Sequence, residues 1–385
     1  MLSFQFKKTP PSAPPTPANS TYGVLTTDSP TIANAPIPAE GGSSRSFDNR
    51  LLLLLLIGIP WYLKSKVGGG KWTFLFLAGI TTIPILMGFW TAVSTLASRL
   101  NHRAKFPNRG VEHYLEFHDE KDAQTYRGNH KIPMETFHEM YFAGKVSFRG
   151  DALEAMEFRH DWASFRFTIS LFKFFLFGML PEVLVHSRSQ DEEQVRDHYD
   201  RGDDFYGWFL GQRMIYTSGI ISDINREETL EELQDNKLRV VCEKLGVQEG
   251  DKMLDLGCGW GTLAAYASSQ YGANVTGITL GRNQTAWGNN AIQRALETSS
   301  RKNKVKSEIL CLDYRDTPTV QGGYKRISCL EMAEHVGVRH FGAFLRQVYD
   351  MMDDDGLFFL QIAGLRKSWQ FEDLIWVCKF ILVSR

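Results

Sequence analysis

The sequence predicts an α/β protein: a Rossmann-like parallel sheet, incomplete at its C-terminal end, behind two N-terminal transmembrane segments. Three observations predict this. From about residue 191 onward, strand-like apolar runs alternate with helical patterns, the signature of an α/β sheet. One of those runs, Lys252 to Leu256 (KMLDL), passes directly into Gly257-Cys258-Gly259-Trp260-Gly261 and then into the helical TLAAYASSQY. Upstream, two apolar runs stand side by side in the chain, Leu51 to Leu63 and Trp72 to Ala97. The 43% hydrophobic content of 385 residues supports a real core. A net charge of −1 argues against a nucleic-acid partner, which would need a Lys/Arg surplus on one face. The five cysteines (Cys242, Cys258, Cys311, Cys329, Cys378) are scattered, with neither a disulfide framework nor metal-ligand spacing, and read as reduced thiols.

Taken in order, residues 1–49 form an arm rich in Pro, Ser, Thr and Ala, with too little apolar surface to offset its ordering entropy; disorder is expected. Residues 50–98 carry the two transmembrane segments, joined by the polar tether KSKVGGGK. The second run is long enough for a hydrocarbon core of roughly 30 Å at about 1.5 Å per residue. The first, about 13 residues, spans only if Lys64 and Lys66 snorkel and residues 67–70 contribute; a re-entrant segment or a buried core helix are the alternatives. Arg45, Arg50, Arg99, Arg103, Lys105 and Arg109 outside the hairpin outnumber Lys64, Lys66 and Lys71 in the tether, which places the following domain in the cytosol. Residues 99–190 are an accessory region whose apolar stretch from Trp162 to Val185 reads equally as an interfacial helix or a core helix. Residues 191–385 are the α/β domain.

Within that domain the glycines at alternate positions let the backbone turn tightly and approach a ligand, and the helix behind them presents free N–H groups. The spacing GxGxG, with Asp255 just before it, fits the methionine end of S-adenosyl-L-methionine better than the GxGxxG of dinucleotide enzymes. A second strand, Asn274 to Thr279, ends in Thr279-Leu280-Gly281-Arg282-Asn283-Gln284 with no acidic residue for a ribose diol, so Thr and Gln must supply the polar contacts. A third, Ser307 to Asp313, delivers Asp313, Tyr314 and Arg315 to the carboxyl edge, where an adenine can lie against the tyrosine ring. The fourth, Tyr324 to Glu331, leads into MAEHVG, and the fifth, Gly356 to Ala363, ends at Gln361. Glu334 as a helix-start carboxylate and His335 as a structural histidine are the plainer readings of that turn.

Six motifs stand in order over residues 191 to about 370: HYDRGDDFYGWFL, MIYTSG, MLDLGCGWG, GITLGRNQ, LDYRD and EMAEHVG. Together they resemble the cyclopropane fatty acid synthase and mycolic acid methyltransferase family, and the membrane segments with residues 191–223 look most similar to its fungal sphingolipid C9-methyltransferases. The resemblance implies a class I S-adenosylmethionine-dependent methyltransferase fold and C-methylation at the Δ8 double bond of the sphingoid base of a ceramide or glucosylceramide. It assigns the cofactor shell to Tyr216 and Thr217, to Met253, Leu254, Asp255, Leu256, Gly257, Cys258, Gly259, Trp260 and Gly261, to Thr279 through Gln284, and to Tyr314 and Arg315. It implies a bound bicarbonate as the base, with Glu334, Ser218 and Gln361 at the positions where the family has glutamate, cysteine and histidine. Ser and Gln depart from that pattern while keeping hydrogen-bonding capacity.

The implied partners are a lipid substrate and a membrane, with a multi-pass location in the endoplasmic reticulum or another endomembrane. Family members continue well past the EDLIW stretch, whereas this chain ends in VCKFILVSR, so a truncated product of low or no activity is expected. Methylation or cyclopropanation of unsaturated phospholipid acyl chains, and an inactive methyltransferase-like membrane protein, are the competing readings. A nicotinamide oxidoreductase lacks both its glycine spacing and its ribose acid here.

Overall fold

The computed structural model describes residues 29–33, 49–96, 107–164, 168–179, 202–301, 304–337 and 340–363. The chain forms two compact units, one of Ala39–Val185 with Leu365–Arg385 and one of Met1–Pro38 with His186–Gly364.

The first of these opens with helices α1 (Asn49–Val67) and α2 (Lys71–Leu96). Helix α1 continues through Lys64–Val67, beyond the apolar run, because Lys is a good helix former; its 19 residues reach about 29 Å. Gly68 and Gly69, at φ +81 and +98, reverse the chain, and Trp61 of α1 meets Phe74 of α2 edge-on at 6.3 Å. Thr81 and Thr82 donate to the Leu77 and Ala78 carbonyls one turn back, which satisfies both hydroxyls inside the helix. The two expected membrane segments are thus two helices. By length and composition one of them, at Lys71–Phe89, can cross a membrane.

A small core follows around Trp162, which is fully buried, lies 4.6 Å from the Phe137 ring of α3 (Met134–Phe142), and donates its Nε1 proton to the Ala155 carbonyl at 2.7 Å. Short strands frame it: Leu115–Phe117 pairs antiparallel with Val146–Phe148, and Ile132–Pro133 parallel with Ala163–Ser164. The apolar stretch from Trp162 therefore begins in a core. It continues as α4 (Ile169–Phe174), where Leu171 is buried while Ile169 and, in the following turn, Phe177 are exposed; residues 180–185 lie outside the described residues.

The other unit holds α5 (Asp203–Leu210), α6 (Leu230–Leu245) and a sheet of β1 (Lys252–Leu256), β2 (Asn274–Thr279), β3 (Glu308–Cys311), β4 (Tyr324–Leu330) and β5 (Met352–Gln361). The strands are all parallel in the order β3-β2-β1-β4-β5. Between them run α7 (Thr262–Tyr266, extended by a π turn to Tyr271), α8 (Arg282–Glu297) and α9 (Phe341–Met351). All five strands expected from the sequence are present. Successive residues alternate faces: Met253, Val275, Ile309 and Phe359 pack with Val241 and Leu263 in one core, while Leu254, Leu256, Ile278, Ile327 and Phe358 pack with Phe344 and Val348 in the other.

Helix α6 starts at a capping box, Thr229 with Glu232, and stops at Gly246 in the left-handed region. Behind it, Arg326 at the start of β4 sits 3.3 Å from Asp251 and donates twice to the Gly246 carbonyl. Part of the N-terminal arm is docked here: Ser29 and Thr31 donate their hydroxyls to Glu243 of α6, and the Ala33 N–H donates to the Ser222 carbonyl at 2.9 Å. The rest of residues 1–48 lies outside the described residues.

Candidate active site

The carboxyl ends of β1, β2 and β4 open onto one cavity of about 1200 Å³, its open mouth included. Such an edge is where an open parallel sheet leaves backbone ends and helix N-termini free for a ligand. Gly257 at φ +72 makes the turn out of β1, and a Cβ there would stand 2.4 Å from the Met332 Cβ. Gly259 at φ +54 would carry a Cβ with nothing within 4 Å, so its bare backbone faces open space.

Of the residues expected to hold a cofactor, Tyr216, Thr217, Asp255, Gly257, Cys258, Gly259, Trp260, Thr279, Leu280, Gln284, Tyr314 and Arg315 line this cavity. Met253, Leu254 and Leu256 do not; they are fully buried in the two cores on either side of β1. Gly261 is also away from the wall, packed so closely on α8 that a Cβ would come within 2.9 Å of the Gly288 Cα. Gly281, Arg282 and Asn283 begin α8, where Arg282 and Asn283 are exposed. Trp260 turns its indole toward α5, donating to Asp203 at 2.8 Å and packing on Tyr206 at 4.7 Å.

Polar groups in the cavity are strongly shaped by burial. Asp255 on β1 is 3% exposed and accepts one hydrogen bond, 2.7 Å from the Ser328 hydroxyl; burial pushes its carboxyl up to about 6 despite that bond. The Thr279 hydroxyl donates to the Gln284 side-chain oxygen at 2.6 Å, so the two residues expected at the ribose hold each other in place. Asp313 binds Arg315 in a two-point contact of 2.7 and 2.8 Å, and the guanidinium lies over the Tyr314 ring at 5.1 Å. The thiols of Cys258 and Cys329 are pushed up by burial and by Asp255, which leaves them protonated.

The wall also contains Lys237 and Glu331, which sequence reasoning did not single out. Lys237 stands one turn before Val241 and two before Leu245, on the buried stripe of α6, and that periodicity was the available signal. Its ammonium lies 3.4 Å from the Thr217 hydroxyl oxygen, 3.3 Å from the Ser218 carbonyl and 3.5 Å from the Ser218 hydroxyl. Burial lowers its pKa to about 8, with Glu331 acting in the opposite direction. Glu331 occupies the left-handed region at φ +53, a conformation costly for a side-chain-bearing residue, and its carboxylate accepts from Gln361 at 2.5 Å.

The amide nitrogen of Gln361 donates to Glu331 and, at 3.1 Å, to Thr217, while one Glu334 oxygen accepts from the Ala363 N–H at 2.5 Å. Ser218 faces Lys237. Gln361 thus spends its amide donor on Glu331 and Thr217, Ser218 accepts from Lys237, and the exposed Glu334 accepts from the backbone; none of the three lines the cavity, and their contacts give no support to a bicarbonate cage. S-adenosylmethionine fits better: the cavity offers a bare glycine turn, the buried Asp255 carboxylate, and Thr279 at the end of β2 bonded to Gln284 of α8.

Comparison with known proteins bears on the same residues. Residues 186–382 match the mycolic acid cyclopropane synthetase family. Sphingolipid C9-methyltransferase A of Emericella nidulans is 67% identical over 373 residues, which cover 97% of this chain and 71% of that protein. Sphingolipid C9-methyltransferase of Komagataella phaffii is 64% identical over 93% of this chain and 73% of its own length, and sphingolipid C9-methyltransferase 2 of Gibberella zeae 63% identical over 97% and 71%. The crystal structure of mycolic acid cyclopropane synthase CmaA1 complexed with SAH and CTAB is 28% identical, covering 50% of this chain and 67% of that one at a TM-score of 0.43. By the family match over residues 186–382 and by 63–67% identity to three sphingolipid C9-methyltransferases over 93–97% of its own length and 71–73% of theirs, the chain belongs to the mycolic acid cyclopropane synthetase family, together with the sphingolipid C9-methyltransferases.

Proposed function

We propose that this chain is a membrane-anchored, S-adenosylmethionine-dependent methyltransferase that methylates C9 of the sphingoid base of a sphingolipid, at the Δ8 double bond of ceramide or glucosylceramide. What carries the reading is the 67% identity across 97% of the chain with a protein named for that reaction. The apolar helix at Lys71–Phe89 supports the anchor, and a lipid substrate would be met at the surface that anchor provides.

When bound, S-adenosylmethionine supplies an electrophilic sulfonium methyl to the alkene. The residues of this chain do the rest. Gly257 and Gly259 shape the turn that would hold the methionine end, Thr217 lines the same cavity, and Asp255 would place a buried negative charge beside a cationic ligand. Met214, Ile215, Leu238 and Leu263 make the wall apolar, which keeps water from a cationic hydrocarbon centre. A proton must then leave the methylated carbon to restore the double bond. Glu334, in the short helical turn after β4, is the proposed acceptor; its side chain is exposed and outside the residues lining the cavity, and partial desolvation holds its carboxyl above the ordinary range, which strengthens it as a base. Bicarbonate is not part of this reading.

The test is transfer of a labelled methyl group from S-adenosylmethionine to Δ8-unsaturated glucosylceramide by the full chain in membranes, with an unsaturated phospholipid offered in parallel. Label in the sphingoid base is expected; label confined to phospholipid acyl chains would move the assignment to the mycolic acid cyclopropane synthetase side of the family. Alkene methylation and cyclopropanation both add one carbon and two hydrogens, so proton NMR of the product decides between a vinyl methyl and a ring.

A further inference from the structure

A lysine with no exposed surface sits in the cavity wall and has only neutral oxygens around it. The three contacts of Lys237, at 3.3–3.5 Å, are long for a charge-assisted hydrogen bond, which runs at about 2.7–2.9 Å. Among the described residues no carboxylate comes within ion-pair distance; Glu331 acts on it only through the longer-range field. A buried ammonium left this way is costly, and such charges are retained when a partner completes them. Beside it, the Gln361 side-chain oxygen is buried without a hydrogen-bond partner, and the Glu331 carboxylate lines the same wall. One cation, one anion and one orphan acceptor lie together where the Thr217 turn meets the ends of β4 and β5.

That pattern is the complement of a zwitterionic amino acid. Resting on the S-adenosylmethionine reading above, we propose that Lys237 binds the α-carboxylate of the cofactor's methionine end, with Glu331 and Gln361 facing its α-ammonium. The Thr217 and Ser218 oxygens hold the lysine in position, and carboxylate binding replaces its weak neutral contacts by an ion pair. This assigns to α6 a part in choosing the cofactor: a sulfonium nucleoside lacking the carboxylate would leave Lys237 uncompensated.

The experiment measures equilibrium affinity of the full chain in detergent for S-adenosylmethionine, S-adenosylhomocysteine and decarboxylated S-adenosylmethionine. For the wild type, the decarboxylated compound is expected to bind about 10- to 100-fold more weakly than S-adenosylmethionine, the range of a lost charge-assisted contact. Equal affinity overturns the proposal with no variant needed, whereas failure to bind any of the three defeats the cofactor reading itself. Lys237→Met is expected to weaken S-adenosylmethionine and S-adenosylhomocysteine by about the same 10- to 100-fold while changing the decarboxylated compound little, and Lys237→Arg to recover most of the loss. A Lys237→Met chain that binds S-adenosylmethionine normally but loses a dependence of turnover on added bicarbonate would place a free carbonate, and not the cofactor, on the lysine, and would overturn the assignment. Equal weakening of all three compounds would mark a merely structural lysine.

Discussion

Replacing Asp255 by asparagine should change the pH dependence of stability in a way set by one carboxyl. The residue is 3% exposed at the end of β1, and its single bond from Ser328 does not offset the loss of water. Moving its pKa from 3.8 to about 6 makes the ionised form about 3 kcal/mol less favourable in the fold, at roughly 1.4 kcal/mol per pH unit. The sign follows from proton counting. Between about pH 4 and about pH 6 the folded chain holds a proton here that the unfolded chain has lost, so this group makes stability fall as pH rises through that window and leaves it level above. An asparagine side chain at this position would stay neutral throughout. Urea unfolding of the ligand-free full chain in detergent, for wild type and Asp255→Asn across that range, isolates the carboxyl because other groups cancel in the difference. The two curves should nearly meet near pH 4, and the variant should gain up to about 3 kcal/mol over wild type by pH 7. The variant should also bind S-adenosylmethionine more weakly, since it loses a buried negative charge near the sulfonium. A stability difference independent of pH, or one that favours wild type increasingly as pH rises, would refute the reasoning.

Other substitutions probe the same frame. Gly257→Ala combines left-handed backbone strain with a Cβ overlapping Met332, and should cost about 2–4 kcal/mol in unfolding free energy along with a loss of cofactor affinity. Arg326→Met removes the close partner of buried Asp251 and two bonds to the Gly246 carbonyl; a loss of about 3 kcal/mol is expected in the same urea titration, at the low end for a broken buried pair because Lys325 remains 3.6 Å away. Glu334→Gln should lower turnover by about 100-fold or more while leaving S-adenosylmethionine affinity within about 2-fold, and unchanged turnover would remove Glu334 from the reaction.

Much of the sheet was legible because parallel strands are buried on both faces and read as short apolar runs punctuated by glycine. KMLDL and NVTGIT became β1 and β2 with the expected bounds. Strand β5 begins earlier than expected, at the buried Met352, because the three aspartates after it break the apolar run; its early pairing with Tyr324 and the shift before Arg326 are set by the sheet itself. The first of the two expected membrane segments was bounded by hydrophobicity, which stopped at Leu63, whereas the helix runs on to Val67, and only the second helix is long and apolar enough to cross a membrane among the described residues. Side-chain direction was the hidden part. Nothing local tells that Trp260 leaves the glycine turn for Asp203, that Gln361 turns its amide to Glu331 and Thr217, or that Ser29 and Thr31 find Glu243 more than two hundred positions away. Lys237 was masked for a similar reason: a lysine in a helix rich in charge looks solvated until the buried stripe through Leu238, Val241 and Leu245 is followed back to it.

The most direct test of the function is to express this chain in cells that make Δ8-unsaturated but unmethylated glucosylceramide and to analyse the released sphingoid bases by mass spectrometry and proton NMR. A gain of one carbon and two hydrogens confined to the sphingoid base, with a vinyl-methyl signal, is the expected result. Unaltered sphingoid bases from a chain verified to be membrane-bound and to bind S-adenosylmethionine would contradict it.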